Sequence, residues 1–173
     1  LTPQPSSTSS VGINLDSRKS VPPTAVFSPT DSTSYTSSTA LTLYDSLGNS
    51  YIATTYFVKN ATVNTWDVHM TVDDLGLDGT PATAANTLLG TSPTLTFNST
   101  GTLITPVTGL VPVPGGIVYG TGSTTPQPLM FNFVNTTQFG ATFAVNELTQ
   151  NGYTSGQLSG FSTSADGTVV GRY

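Results

Sequence analysis

The stretch TALTLYDSLGNSYIATTYFVKNATVNTWDVHMTV, residues Thr39–Val72, decides the fold because apolar and polar residues alternate along it between short turn signals. The period of two is clearest after residue 64, where four large apolar side chains fall on one strand face and four polar ones on the other. The apolar set is Trp66, Val68, Met70 and Val72, and the polar set is Asp67, His69, Thr71 and Asp73. The stretch predicts three strands, at Thr39–Tyr44, Tyr51–Lys59 and Thr65–Val72.

Two short connections join these strands. Asp45–Ser50 contains Gly48 and Asn49, residue types that accept the positive φ angles of tight turns. Asn60–Asn64 follows the second strand and is rich in turn-forming residues. We therefore expect consecutive antiparallel hairpins.

The chain beyond residue 72 continues as short strands separated by turns and loops. Residues 73–93 form a long connection in which Ala82–Leu89 is the one plausible helical turn. Residues 106–128 are dense in Pro and Gly and predict a loop with a short strand at Ile117–Tyr119. The remaining strands are predicted at Thr94–Phe97, Leu103–Ile104, Leu129–Val134 and Thr142–Val145.

The two ends complete this pattern. At the start, residues 1–10 (LTPQPSSTSS) predict a flexible tail, and Gly12–Leu15 a short strand. At the end, a hairpin is predicted from Leu158–Thr163 and Thr168–Tyr173, and its Asp166-Gly167 pair suits a type I′ turn.

The composition supports an all-β fold. Thr and Ser number 33 and 20 in 173 residues, while Lys, Arg and Glu together number only five, so long-chained helix formers are nearly missing. An apolar fraction of 36% favours a folded domain over a disordered chain. Short strands at this spacing predict an antiparallel β-sandwich or a partly open β-barrel built from hairpins, with little or no helix.

Charge and hydropathy exclude several partners. The net charge is −5, and the four basic residues are scattered along the sequence, so we expect no nucleic-acid binding and no binding to anionic membranes. No apolar run is long enough for a membrane-spanning helix, and no signal peptide is visible. Cysteine is absent, which removes disulfides and thiolate chemistry.

His69 is the one histidine, so any Ser-His-Asp hypothesis depends on it. Asp67 and Asp73 lie two and four residues away on the same strand face, but simple alternation places them there, and no Gly-x-Ser-x-Gly elbow occurs. We interpret His69 as a solvent-facing or cross-strand residue.

Other candidate residues also have structural interpretations. Asp73 and Asp74 suit a solvated turn, and residues 74–79 lack the alternate carboxylates and distal Glu of a calcium loop. Trp66 is interpreted as a core residue rather than a carbohydrate platform. Three Asn-x-Ser/Thr sequons are interpreted as turns, at Asn60, Asn98 and Asn135. The sequence thus predicts no catalytic, metal-binding or cofactor-binding residue, no cofactor, and no enzyme.

Seven blocks, in order along the chain, resemble the flagellar hook protein family. Each block alone is only a strand and a turn, and the resemblance comes from their shared order from about residue 11 to the end. The blocks are Ile13–Ser17, Leu41–Asn49, Tyr56–Lys59, Asn64–Trp66 with Val68, Leu95–Leu103, Gln150–Gly156 and Asp166–Gly171.

The resemblance implies a structural subunit of the bacterial flagellar hook, the flexible joint that transmits torque from rod to filament. It implies an extracellular protein that is exported without a cleaved signal peptide and whose partners are other copies of the hook subunit. It also implies that residues 11–152 form an outer β domain and that 153–173 form a return hairpin leading into an incomplete inner domain.

One departure from the family concerns the helical terminal segments that drive polymerisation, which this sequence lacks. We therefore expect a middle fragment that is monomeric when isolated. The alternative from another class is a secreted adhesin or glycan-binding β domain, which an exposed aromatic cluster or a metal site would favour.

Overall fold

A computed structural model describes residues 1–73, 93–124, 126–156, 160–164 and 166–172. These residues contain strands and turns but no helix, so the predicted all-β class is confirmed. The strands are β1 (Thr8–Asp16), β2 (Ser37–Tyr44), β3 (Ser50–Lys59), β4 (Thr65–Val72), β5 (Thr94–Phe97), β6 (Leu103–Thr105), β7 (Leu110–Pro112), β8 (Met130–Asn132), β9 (Thr137–Phe139), β10 (Ala144–Gln150), β11 (Gly160–Thr163) and β12 (Val169–Arg172).

The first sheet is an antiparallel meander in the order β2-β3-β4-β5-β6. Its first three strands are those predicted from the alternating stretch, and their register pairs Leu41 with Ala53 and Tyr56 with His69. The predicted hairpins between these strands, and between β5 and β6, are confirmed.

The second sheet has the order β10-β1-β8-β7, and β9 also pairs with β1. One edge of β1 pairs with β10, antiparallel, and the other pairs in parallel with β8 near Thr8 and with β9 near Asp16. Parallel pairing requires a crossover connection, which hairpin signals do not reveal. The predicted antiparallel pairing is observed in the other described ladders, and β1 adds these two parallel pairings.

The two sheets join along one side and stay apart along the other. Thr102, beside β6, bridges Thr137 of β9, and the Gln138 amide donates to the Gly101 carbonyl at 2.9 Å. On the opposite side β10 packs beside β2 without a described ladder, leaving a crevice of about 340 Å³. Of the two predicted arrangements, the molecule matches the partly open barrel.

The core lies between the sheets and contains the predicted apolar face of β4. Trp66, Val68, Met70 and Val72 are fully buried, as the period of two requires. Aromatic residues of the second sheet complete this core. Phe131 and Phe133 stack with ring centroids 6.0 Å apart, and Phe57 of β3 meets Phe133 edge to face at 6.3 Å.

Three hairpins share one turn design. In each, a glycine with positive φ donates its amide to the carbonyl three residues earlier: Gly48 to Asp45, Gly101 to Asn98 and Gly167 to Ser164. Their φ angles are 87°, 79° and 85°. The type I′ prediction placed Asp166 and Gly167 at the centre of the last turn, whereas the hydrogen bond from Gly167 to Ser164 makes Gly167 its last residue, so this prediction is corrected. The hairpin itself is observed as β11 and β12.

Residues 17–36 form a long irregular strap over the outer face of β3 and β4. The strap closes on itself where the Thr24 amide donates to the Thr33 carbonyl at 3.2 Å. It joins the sheet where the Thr36 amide donates to the Phe57 carbonyl at 2.9 Å and where Phe27 stacks on His69.

Several other predicted elements have different bounds. The supposed tail is corrected, because β1 begins at Thr8 and both Ser6 and Ser9 are buried. Residues 117–119 contain only one bridge, from Ile117 to Gln127, instead of a strand. Strands β7 and β9 were not predicted, and β10 runs five residues further than expected. The predicted helical turn at Ala82–Leu89 lies outside the described residues.

Candidate functional site

His69 is a half-buried cross-strand residue. It lies opposite Tyr56 in the register of β3 and β4, and the ring of Phe27 stacks on it with centroids 4.0 Å apart and an interplanar angle of 9°. Burial lowers the pKa of His69, while the nearby charge of Asp67 opposes this. The cross-strand interpretation is confirmed. Through its contact with Phe27, the imidazole holds the strap against the sheet.

The carboxylates near His69 do not assemble a metal site in the described structure. The carboxylate of Asp67 accepts hydrogen bonds from the Asn60 amide at 2.9 Å and the Thr94 hydroxyl at 3.2 Å. Asp74 and the 74–79 loop lie outside the described residues. Across the described ranges, no three His, Asp or Glu side chains are grouped closely enough to hold a metal ion.

Asp45 is a fully buried carboxylate at the first turn of the meander. Five donors surround it, namely the Leu47 and Asn49 amides, the Asn49 side chain, the Tyr51 hydroxyl and the Thr121 hydroxyl, at 2.8 to 3.2 Å. Burial raises the pKa of Asp45, but the hydrogen bonds from Asn49, Thr121 and Leu47 outweigh it, so the pKa lies below its usual 3.8. The network fixes the loop around Thr121 to the hairpin.

The three sequons occupy turns, as interpreted. The Asn98 side-chain oxygen accepts the Thr100 and Thr102 amides at 3.0 and 2.9 Å, and that of Asn60 accepts the Thr62 amide at 2.9 Å. The Asn135 side chain donates to Glu147 at 2.8 Å. The contacts of Asn60 and Asn98 are the side chain-to-backbone bonds for which Asn is favoured in turns, whereas that of Asn135 joins two side chains.

Trp66 is a core residue, as interpreted. Its Nε1 donates to the side-chain oxygen of Gln138 at 2.6 Å, and the Lys59 ammonium lies 4.7 Å from the ring centroid. Among the described side chains, the exposed aromatic rings are Phe139 and Tyr153. They lie far apart, because Phe139 pairs with Asp16 at the end of β1 and Tyr153 pairs with Gln4, before β1 begins. The aromatic platform of a glycan-binding domain is thus not formed by the described side chains.

Electrostatic interactions link Asp16 to three of the four basic residues, Arg18, Lys19 and Lys59. The Arg18 guanidinium binds both carboxylate oxygens of Asp16, at 2.8 and 2.9 Å. The Lys19 amide donates to the Asp16 carbonyl at 3.1 Å, and the charge of Asp16 also acts on Lys59. This cluster lies at the end of β1 that is distant from Thr8.

An open apolar groove lies at the other end of β1. Its volume is about 610 Å³, and its lining includes Pro112, Val113, Pro126, Leu129 and Met130. Ser7, which precedes β1, contributes a polar edge.

The first residues of the chain run antiparallel beside residues 152–156, and we call this pair of segments the stem. Gln4 and Tyr153 exchange two backbone hydrogen bonds of 2.9 Å. Leu1 and Gly156 exchange two more, at 2.8 and 3.2 Å. Both segments therefore leave the barrel at the same place and in the same direction.

Ser6 joins the stem to the barrel, and we call its hydrogen-bonded contacts the Ser6 clasp. Its amide donates to the Tyr44 carbonyl, and its hydroxyl accepts the Tyr44 amide, both at 2.9 Å. The hydroxyl donates to the Gln150 side chain at 2.6 Å, and the Ser6 carbonyl accepts from the Gln127 side chain at 2.7 Å. Ser6 is fully buried, so these bonds form away from solvent.

The sequence did not identify Ser6, Gln127 or Asp45 as special. A buried hydroxyl or amide has no distinguishing mark in a chain where about three residues in ten carry hydroxyls. The one sequence feature that could have pointed to Ser6 was Gly152, in the block Gln150–Gly156. In the structure this glycine lies against Ser6. A Cβ at position 152 would lie 2.7 Å from the Ser6 amide nitrogen, which excludes a larger residue without rearrangement.

No helix in the described part of the chain is long and apolar enough to cross a membrane.

Curated relatives match nearly the whole chain. Flagellar hook protein FlgE of Escherichia coli strain K12 is 34% identical over 168 residues, and FlgE of Salmonella typhimurium strain LT2 is 37% identical over 168 residues. Each alignment covers 96% of this chain and 38% of the relative. The chain thus spans little more than a third of the length of these proteins.

Two solved structures are also similar. Helicobacter pylori flagellar hook protein FlgE2 aligns with a TM-score of 0.49 and 15% identity, covering 78% of this chain and 31% of that one. A 32 kDa fragment of FlgE from Caulobacter crescentus aligns with a TM-score of 0.44 and 15% identity, covering 66% of this chain and 46% of that one.

The family is decided by the sequence itself. The model of the flagellar basal body protein FlaE D2 domain matches residues 14–153, which run from β1 through the meander, the second sheet and the start of the returning stem segment. This chain belongs to the flagellar basal body protein FlaE D2 domain family.

Proposed function

We propose that this chain is the outer β domain of a structural subunit of the bacterial flagellar hook. The observation that carries the proposal is the 34 to 37% identity over 168 residues to proteins named flagellar hook protein. The family match over residues 14–153 supports it independently. The subunit acts outside the cell, and its partners are other copies of itself.

The described geometry supports a structural role rather than catalysis. The ring of His69 stacks on the strap, the carboxylate of Asp45 closes a turn, and Trp66 fills the core, so each of these three residues has a structural contact. A hook subunit must transmit torque through its own fold, and a barrel cross-linked by buried polar contacts suits that task. In the ranges that the structure describes, no aromatic platform or metal-binding group favours the adhesin or glycan-binding alternative.

The stem supports the proposed division of the chain. Paired segments that leave one domain side by side are the geometry of a domain inserted into another. We propose that residues 11–152 form the outer domain and that 153–173 form the return toward the inner one. The β11–β12 hairpin suits this role, since an isolated two-stranded hairpin is marginally stable in water.

The finer parts of the proposal concern export, partners and assembly. The subunit leaves the cell without a cleaved signal peptide, and it binds neither nucleic acid nor membrane. The isolated chain is a monomer of 17.9 kDa, because the polymerising segments of hook proteins lie elsewhere in the subunit. Size-exclusion chromatography with light scattering tests the last statement, and a stable oligomer would refute it.

The experiment that tests the function replaces the matching segment of the Escherichia coli hook protein with this chain. We expect the chimera to form hooks that electron microscopy can see and to restore swimming. The control is an unrelated β domain of similar size in the same position, which should fail. The proposal would be contradicted by a chimera that is exported and folded but, like the control, does not assemble into hooks.

A further inference from the structure

The Ser6 clasp is more strongly bonded than the stem that it joins to the barrel. In the stem, Gln4 and Tyr153 share two hydrogen bonds, and so do Leu1 and Gly156. All four residues are exposed or half-buried. Ser6, in contrast, is fully buried and uses its amide, carbonyl and hydroxyl at once. The number of hydrogen bonds per residue therefore rises at Ser6, where the stem meets the barrel.

Three parts of the molecule contact this residue. Tyr44 ends β2, Gln127 lies in the loop before β8, and Gln150 ends β10. The Gln127 side chain bridges the carbonyls of Ser6 and Tyr44, at 2.7 and 3.0 Å. Ser6 thus connects the first sheet, the second sheet and both segments of the stem.

Gly152 and Gln150 complete the clasp on the returning segment. The Gln150 side-chain oxygen accepts from both the Ser6 hydroxyl and the Gly152 amide, and its side-chain nitrogen donates to the Gly152 carbonyl at 3.0 Å. Next to it, the Asn151 side chain accepts the Ser7 and Thr8 amides at 2.9 and 3.0 Å. The two segments are therefore held together by side chains where they enter the barrel.

The direction of the stem determines how it comes apart. Because both segments leave the same end, a force that separates them loads the hydrogen bonds one pair at a time, starting at Leu1 and Gly156. Opening that proceeds in this way reaches Ser6 only after the pair of Gln4 and Tyr153 has broken. At Ser6 several buried bonds must break together.

We propose that the Ser6 clasp is a mechanical stop that confines opening of the stem to residues 1–5 and 152–156 and keeps the barrel closed. The stem can then open and reclose while the barrel stays folded. This property belongs to the chain itself and does not depend on the proposed hook function.

Hydrogen exchange, followed residue by residue by NMR, tests the stop on the whole chain. In Ser6→Ala the Tyr44 amide loses its partner, whereas the partners of Gln4 and Tyr153 are unchanged. We expect exchange to accelerate about tenfold at Tyr44 and also at Met130 and Asn151, whose amides donate to the Ser7 and Thr8 carbonyls just beyond the clasp. Exchange at Gln4 and Tyr153 should stay unchanged, because these stem residues open outside the clasp in both chains. Exchange at Val68, on the central strand β4 of the first sheet, should stay as in the unmodified chain. Gly152→Ala should give the same pattern.

Two matched variants control for the substitutions. Ser38→Ala removes an exposed hydroxyl, and Gly160→Ala adds a methyl where no heavy atom lies within 4 Å. Acceleration limited to Tyr44 would overturn the proposal, because Ser6 would then serve only its direct partner. Equal acceleration at Val68 would also overturn it, since Ser6 would then act only on global stability, and so would unchanged exchange.

Pulling on a single molecule measures the stop directly. The chain has no cysteine, so Thr2→Cys and Ser155→Cys give unique handles on exposed residues. We expect a first extension of about 25 Å, the contour length of about seven freed residues, and then a pause before the barrel unfolds. In Ser6→Ala the lifetime of the pause should fall about tenfold. Unfolding in one step, or a pause of unchanged lifetime, would overturn the proposal.

Discussion

The indole nitrogen of Trp66 donates a 2.6 Å hydrogen bond to the side-chain oxygen of Gln138, and this bond crosses the interior between the two sheets. Gln138 also donates to the Asn64 side chain at 2.9 Å. Since Trp66 is on β4 and Gln138 on β9, the pair fixes the meander to the strand that lies beside β1. A buried indole N–H requires such a partner.

Loss of Gln138 should therefore destabilise the chain through its tryptophan. In Gln138→Leu the indole N–H stays buried without its partner, and we expect the free energy of unfolding to fall by about 1–3 kcal/mol. Urea denaturation monitored by tryptophan fluorescence and circular dichroism measures this. The control is Trp66→Phe, which removes the donor. If Gln138→Leu costs as much in the Trp66→Phe background as alone, the hydrogen bond is not the cause.

Removal of the Asp45 carboxylate should be costly at neutral pH. One carboxylate oxygen of Asp45 accepts hydrogen bonds from the side chains of Asn49, Tyr51 and Thr121. In Asp45→Asn an amide N–H₂ can replace this oxygen, and these donors then lose their acceptor. We expect a loss of about 1–3 kcal/mol in the free energy of unfolding at pH 7. Asp31→Asn is the control, because that carboxylate lies in the outer strap and bonds only within it.

The cost of Asp45→Asn should also depend on pH. The folded-state pKa of Asp45 is lowered, so its contribution is fully present above the unfolded value of about 3.9 and is lost as pH falls through the folded value. The difference in unfolding free energy between the two chains should therefore shrink between pH 5 and pH 2. A difference that grows on acidification would contradict a stabilising carboxylate.

The first sheet was predictable because its information is local. A period of two from Leu41 to Val72, with turns between, specifies both the strands and the face that is buried. The glycines at positions 48 and 101 likewise mark turns through their own φ angles. Such features require no knowledge of distant partners.

The second sheet was predictable only in part because its partners are distant in sequence. Strand β1 pairs in parallel with β8 and β9, more than 100 residues away, and strands of three residues are too short to show a period. The burial of Ser6 has the same cause. A serine in a Pro/Ser/Thr segment resembles a tail until Tyr44, Gln127 and Gln150 surround it.

The strap should respond to pH through His69. Burial lowers the folded-state pKa of His69 below its usual 6.5, so its contribution to stability is present above about 6.5 and is lost as pH falls through the folded value. The groups that face it include Phe27 on the strap, Tyr56 on β3 and Asp67 on its own strand. NMR titration of the imidazole should give a pKa below 6.5. A pKa above 6.5 would show that the Phe27 ring stabilises the charged form instead.

A matched pair of variants tests whether burial of His69 by Phe27 is what lowers its pKa. Phe27→Ala removes the ring that stacks on His69 and should let solvent reach the imidazole, so the pKa of His69 should rise toward 6.5. Val26→Ala is the control, because that neighbouring side chain is 78% exposed. An unchanged pKa in Phe27→Ala would place the cause of the shift within the sheet.

Gly101 should tolerate no side chain, because it lies at the seam between the two sheets. Its φ is 79°, and a Cβ there would lie 2.5 Å from the Gln138 carbonyl oxygen and 2.7 Å from the Phe139 ring. The left-handed backbone alone costs an L-residue about 1–2 kcal/mol, and the rigid Gln138 backbone adds a clash. We expect Gly101→Ala to lower the free energy of unfolding by more than about 2 kcal/mol in urea denaturation. Gly160→Ala, which meets no neighbour within 4 Å, should change it by less than about 1 kcal/mol. Equal effects at the two sites would mean that the sheets do not meet at Gly101, since the seam is what distinguishes one glycine from the other.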